Sequence, residues 1–175
     1  FDHTQPSFSL RGIATDGFSM GIDQAVGVYV NGIYQTNGGG SLLAFNDTQR
    51  VEVLKGPQGT LFGRNTAAGA ISIVTNAPSV DFEANARTRY GTDGQRYVDG
   101  LLNLPLGETF GLRVSGVVNR SDGWRRDAVT RQHYALDRQE GTRMALGGSL
   151  GDTWEVQLSW DHERLKEPQR LQIGV

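Results

Sequence analysis

Cysteine is absent from the 175 residues. That excludes a disulfide framework and a thiolate metal site. Histidine is scarce, and His3, His133 and His162 have no ligand-like spacing, so no protein metal site is expected. No run of about 18 apolar residues occurs, which excludes a transmembrane helix but not a transmembrane β-barrel, whose strands alternate apolar and polar residues. Neither charge sign prevails: Lys plus Arg is 17, Asp plus Glu is 19, and the net charge is -2. A dedicated nucleic-acid binder should be clearly basic, so none is expected. No Ser-His-Asp order and no paired carboxylates suggest catalysis, so the protein is not expected to be an enzyme. Phe1 has neither an initiator Met nor a basic n-region before it, and the chain reads as a mature protein or a piece of one.

What is present is glycine, 24 residues, roughly twice the usual share. Charge is unevenly spread. Residues 1–78 hold 4 basic and 5 acidic residues, whereas residues 79–175 hold 13 and 14. A shift that large predicts two environments, with Thr75-Asn76-Ala77-Pro78-Ser79 as the connection between domains 1–78 and 79–175.

The second half alternates with a period of two. Phe82, Ala84, Ala86, Thr88 and Tyr90 share one face, opposed by Glu83, Asn85, Arg87 and Arg89. The same pattern recurs around Leu102 and Leu104, Leu112 and Val114, Met144 and Leu146, and Val156 and Leu158. It predicts about five strands of roughly ten residues, each with one apolar face. Leu106-Gly107-Glu108-Thr109-Phe110 and Leu150-Gly151-Asp152-Thr153-Trp154 are the same tight turn, and Phe110 and Trp154 suit an interfacial girdle. The segment from about Arg120 to Gly141 is longer and charged; within it Trp124, Arg125, Arg126, Arg131, His133 and Tyr134 suit an anionic ligand or lipopolysaccharide phosphates, or a generic charged loop. Short turns at one end and long loops at the other fit an outer-membrane barrel; a soluble β-sandwich also alternates and remains the competing architecture. About eight strands is the smallest membrane barrel, so on the barrel reading the chain is part of a longer protein.

The first half predicts a small glycine-rich α+β unit with a thin core. Its strands are expected over Ser7–Ile13, Ala25–Val30, Val51–Leu54 and Ala70–Thr75, with a type I′ turn at Asn31-Gly32. Short helical pieces are expected over Leu42–Phe45, capped by Ser41, and over Gly59–Phe62. Gly59 and Gly63 enclose three residues rather than the four of a phosphate loop, and Arg64-Asn65 follows in place of Lys and Ser or Thr, so nucleotide binding is not expected.

The run from Arg50 to Pro78, RVEVLKGPQGTLFGRNTAAGAISIVTNAP, resembles the plug-domain signature of TonB-dependent outer-membrane receptors. Leu10-Arg11-Gly12-Ile13 and Val28-Tyr29-Val30-Asn31-Gly32 resemble two further plug motifs, in the family's order and spacing. The resemblance implies an α+β plug domain within a transmembrane antiparallel β-barrel, of 22 strands in the family, of which this chain holds the C-terminal part of the plug and the first strands. It implies active import of a scarce ligand across a Gram-negative outer membrane, by default an iron–siderophore complex. Saccharides, haem or cobalamin are the alternatives, and a soluble β-rich binding module is the remote one. The implied partners are the TonB-ExbB-ExbD complex, the ligand, and outer-membrane lipid and lipopolysaccharide. The TonB-pairing segment is expected ahead of Phe1. No cofactor is implied, since iron arrives only within the ligand. The resemblance also assigns Asp16, Phe18, Gln35 and Asn37 to the ligand-facing plug apex, and Arg11, Arg50, Glu52 and Arg64 to plug–barrel contacts, with salt bridges inside the plug as the alternative for these charges.

Overall fold

The computed structural model describes residues 8–14, 24–36, 47–122, 125–126, 133–134 and 137–166. The chain divides into two compact units, residues 1–76 and 77–175. The division lies two residues ahead of Pro78, because the residues that follow Asn76 bond to the strands of the second unit.

The first unit contains β1 (Ser9–Leu10), β2 (Ile13–Ala14), β3 (Val26–Val30), β4 (Ile33–Tyr34), β5 (Thr48–Lys55), α1 (Gly59–Phe62) and β6 (Gly69–Thr75). A four-stranded sheet runs in the order β4-β3-β6-β5, with β3 and β6 parallel and the outer pairs antiparallel. The two central strands read VGVYV and GAISIVT and are almost wholly buried. Parallel neighbours covered on both faces need such continuous apolar runs rather than alternation. Val26, Val28, Ala68, Ile71 and Ile73 form the core, with Phe8, Leu10, Ala25 and Val30 packed against it.

The expected turn at Asn31-Gly32 has φ of 49° and 80°, the left-handed pair that a type I′ hairpin requires. The expected single strand over Ser7–Ile13 is instead a second hairpin. β1 and β2 pair through Leu10 and Ile13, and the turn between them is Arg11-Gly12, with φ of 54° and 78°. Arginine seldom occupies such a conformation, so the turn carries no composition signal. The expected helix over residues 42–45 lies outside the described residues.

The second unit contains β7 (Glu83–Tyr90), β8 (Arg96–Leu106), β9 (Phe110–Ser121), β10 (Arg125–Arg126), β11 (His133–Tyr134), β12 (Asp137–Leu150) and β13 (Trp154–Lys166). Five of these form one antiparallel sheet in the order β13-β12-β9-β8-β7. The charged connection expected between Arg120 and Gly141 holds regular structure: β9 runs to Ser121, β12 begins at Asp137, and β10 pairs with β11.

Register makes the apolar face continuous. Leu102 pairs with Val114, Val114 with Met144, and Met144 with Trp160; one step on, Leu104, Leu112, Leu146 and Leu158 form the next row. Polarity is inverted relative to a soluble sheet. Leu158 is 65% and Trp154 71% exposed, whereas Asn103 is 0% and Arg113 5% exposed. Water does not favour an exposed row of Leu, Val, Met and Trp opposite a buried row of Asn, Arg and Asp; lipid outside and a polar interior do. The soluble sandwich is therefore set aside. Phe110 and Trp154 lie on this apolar face beside the tight turns. Trp154 is exposed, and the Phe110 ring lies over Gly148, its register partner.

Candidate functional site

The start of β3, the end of β4 and the motif loop 56–68, which joins β5 to β6, share one end of the four-stranded sheet. The arrangement follows from pairing: β4 runs back along β3, and Gln35 N donates to Val28 O at 2.8 Å, taking the chain back toward the start of β3.

The motif loop is held by named bonds. Gly56 N donates to Ala68 O at 3.0 Å and Gln58 N to Thr66 O at 3.0 Å, closing its base. Thr66 Oγ1 donates to Gly63 O at 2.7 Å. The Tyr29 hydroxyl, from the buried strand β3, donates to Phe62 O at 2.5 Å, and the Tyr29 ring meets Phe62 edge-on at 4.8 Å and Tyr34 at 5.4 Å. Asn65 Nδ2 donates to the Tyr34 hydroxyl at 2.9 Å. Burial, and then neighbouring Tyr34, raise the Tyr29 phenol above its ordinary value. A phenol held neutral remains a donor, so the aromatic trio ties α1 to β3 and β4.

Of the residues assigned to the ligand-facing apex, Gln35 is described: it is half-buried, and its Nε2 donates to Ile33 O at 3.1 Å. Asp16, Phe18 and Asn37 lie outside the described residues. The motif loop shares the Gln35 end of the sheet and carries exposed Leu61 and Arg64. Glycine and turn chemistry marked this loop as structural, and only the strand pairing shows which end it occupies.

The charges assigned to plug–barrel contacts are placed as follows. Arg50 Nε donates to Glu52 Oε1 at 2.7 Å and its Nη1 to Gln49 Oε1 at 2.5 Å, an exposed cluster inside the first unit. Arg11 sits at the tip of the β1–β2 turn, and Arg64 lies on the motif loop; both are exposed.

The segment leaving the first unit is fixed on both sides of the division, each by its own unit. Thr75 N donates to Asn31 Oδ1 at 3.0 Å, and Asn76 Nδ2 donates to Asp47 Oδ1 at 2.7 Å. In the second unit, Asn103 Oδ1 accepts from Ser79 N at 3.2 Å, while its Nδ2 donates to Ser79 O at 2.8 Å and Asp81 O at 2.6 Å. Gly111 has no Cβ because the Ser79 backbone occupies that space, and Pro78 packs beside Gly147. Sequence alone gives Asn103 no distinction from other polar residues on its face.

That polar face is laced across strands. Arg87 bonds its register partner Asp99 at 2.8 Å, Arg143 bonds Asp161 at 2.8 Å, and Arg113 reaches Glu83 at 2.8 Å across β8. Arg143 Nε and Nη2 are buried without a partner among the described residues.

An apolar exterior, a polar face buried on the central strands and short turns at one end define strands of a transmembrane β-barrel, here preceded by a small mixed-sheet unit. Residues 1–70 match the family described as the TonB-dependent Receptor Plug Domain. The catecholate siderophore receptor Fiu of Escherichia coli strain K12 is 29% identical over 145 residues, covering 83% of this chain and 18% of Fiu. The pesticin receptor of Yersinia pestis is 42% identical over 74 residues, 41% of this chain and 10% of that receptor. The crystal structure of the ferric yersiniabactin uptake receptor FyuA from Yersinia pestis superposes on 93% of this chain and 26% of its own, with a TM-score of 0.78 at 24% identity, a likeness of fold. Residues 1–70 therefore match the plug domain of the TonB-dependent receptors, and the chain spans less than a fifth of the length of the Fiu relative.

Proposed function

We propose that the protein containing this chain lies in the outer membrane of a Gram-negative bacterium and imports a ferric siderophore by coupling to TonB. The inverted polarity of the five-stranded sheet carries the membrane assignment. The relationship to a receptor named for catecholate siderophores supports the ligand class. The protein acts as a transporter rather than an enzyme, and iron enters as part of the ligand, with no cofactor of the protein's own.

The first step is capture of the ligand at the end of the plug sheet that holds Gln35 and the motif loop, with Asp16, Phe18 and Asn37 as further contacts. Binding there biases the plug between two arrangements. TonB, energised by ExbB and ExbD, pairs as an added strand with a segment ahead of this chain. The Asn103 anchor keeps residues 79–81 on the strands while the plug rearranges, so the movement that opens a path is borne by residues N-terminal to it.

Deletion of the whole gene tests this reading. Uptake of radioactive iron from a ferric catecholate under iron limitation is expected to fall to background and to return with the intact gene. Normal iron uptake together with lost growth on a glycan, haem or cobalamin would replace the siderophore with that ligand.

A further inference from the structure

One row of the outward face is cationic. Arg96 on β8 pairs with Arg120 on β9, and Arg120 pairs with Arg138 on β12. Register places these guanidinium-bearing residues directly opposite one another on three successive strands, on the face that carries Leu102, Val114 and Met144. Like charges directly opposite across a sheet destabilise it. The row has one internal carboxylate: Glu140 Oε1 accepts from Arg120 Nη2 at 2.9 Å and from Arg138 Nε at 2.8 Å. Glu140 also faces Arg164 on β13, which adds a fourth cation to this face. Asp122 lies against Gly94 in the neighbouring turn. Arg96 has no ion pair among the described residues and is exposed. Among the described residues, Glu140 is the carboxylate paired within this row of four arginines, leaving an excess of positive charge.

The height of the row is set by strand geometry. Arg120 lies ten residues beyond Phe110 on β9. At about 3.4 Å per residue and a tilt of about 40°, this is about 26 Å along the membrane normal, close to the about 25 Å height of a barrel's apolar band. Phe110 marks the short-turn side, which faces the periplasm in such barrels. The arginines therefore stand at the opposite interface, level with headgroups of the outer leaflet. Exposed Tyr90, the register partner of Arg96, supplies the aromatic usual at that level.

We infer that Arg96, Arg120 and Arg138 form a binding site for a phosphorylated lipid headgroup of the outer leaflet. A phosphate supplies the anionic oxygens that the row lacks, and guanidinium groups match it bidentately. Single carboxylates on neighbouring loops are poorer occupants, because the row lies on the lipid-facing surface. The inference rests on the outer-membrane reading.

The test uses the full-length receptor, purified in neutral detergent and immobilised, with lipid A carrying both phosphates as the probe. Lipid A stripped of phosphate and inorganic phosphate alone serve as comparison ligands. Bisphosphorylated lipid A is expected to bind at least tenfold more tightly than the stripped form, with affinity falling as salt rises. The triple variant R96Q/R120Q/R138Q is expected to lose that tenfold preference, and R96K/R120K/R138K to keep most of it. Heat-modifiable gel migration checks that each variant is folded; if the triple variant does not fold, R96Q alone is expected to weaken binding at least threefold. Equal binding of the two lipids, or an unchanged preference in the folded glutamine variant, overturns the site. Competition by millimolar inorganic phosphate as effective as that by the lipid overturns the lipid as its occupant. Ferric-catecholate uptake is scored separately: its failure with lipid preference intact removes the import reading and leaves the site standing.

Discussion

Asn103 serves Ser79 as a neighbouring strand would. Its carboxamide accepts from the Ser79 N–H at 3.2 Å and donates to the Ser79 carbonyl at 2.8 Å, from a position of 0% exposure. The residues just past the division between the two units therefore have sheet-like partners without belonging to the sheet. Replacing Asn103 with Leu keeps the branched shape and the number of side-chain heavy atoms and removes every one of these bonds. Groups left unpaired by such a change cost about 1–3 kcal/mol each when buried. In the full-length receptor, Asn103→Leu is expected to raise amide exchange of residues 78–82 at least tenfold while β12 stays protected. Unchanged exchange at Ser79 would remove the anchor from the mechanism.

The same contact makes two glycines unequal. A Cβ on Gly111 falls on the Ser79 backbone, whereas one on Gly116 has Gly141 O as its nearest neighbour at 3.6 Å. Gly111→Ala must displace Ser79 and is expected to cost about 1–3 kcal/mol, the range for overpacking. Gly116→Ala is expected to stay within about 0.5 kcal/mol, as for substitutions that meet no such obstacle. Equilibrium unfolding of the receptor in lipid vesicles compares the two, and equal losses would mean that Ser79 does not hold its place against β9.

Alternation was enough to read the five strands and their apolar face, because a strict period of two survives whatever the turns do. It was not enough to read their length. β12 begins at Asp137 rather than near Arg143, and Arg138 and Glu140 resemble loop residues until the register shows them continuing the strand past the apolar band. In the first unit Asn31-Gly32 announced its turn, while Arg11-Gly12 did not, since arginine has no preference for positive φ. The Asn103–Ser79 pairing was illegible for a different reason. It joins residues 24 apart through strand pairing, and nothing local sets that asparagine apart.

Alternation also does not grade the positions of the polar face. It assigns Ser115 and Gln157 alike to that side, yet Ser115 is buried and its register partner on β12 is Arg143, while Gln157 is exposed. Leu158→Arg, on the lipid side, is expected to cost about 2–4 kcal/mol near the midplane. Gln157→Arg should cost well under about 1 kcal/mol, as an exposed substitution. Ser115→Arg should be destabilising despite facing away from lipid, because it brings a second guanidinium beside Arg143. Folding free energies in vesicles rank the three, and a mild Ser115→Arg would show that side to be open.

Tyr29 gives the first unit a pH limit. Its phenol is raised above the ordinary value, first by burial and then by Tyr34, so the folded state favours the neutral form. A raised pKa contributes stability that is complete below the unfolded value of about 10 and is lost as pH climbs through the higher folded value. Ionisation also removes the proton donated to Phe62 O. Loop 56–68 of the full-length receptor is therefore expected to become susceptible to a lysine- and arginine-specific protease at Arg64 as pH passes above about 10. Tyr29→Phe keeps the ring contacts and loses one hydrogen bond, about 1 kcal/mol. It should raise cleavage at Arg64 at pH 8 and flatten the alkaline rise, with both rates corrected for the protease's own pH profile. An alkaline rise of the same size in Tyr29→Phe would assign the transition to another group and leave Tyr29 only its packing against Phe62 and Tyr34.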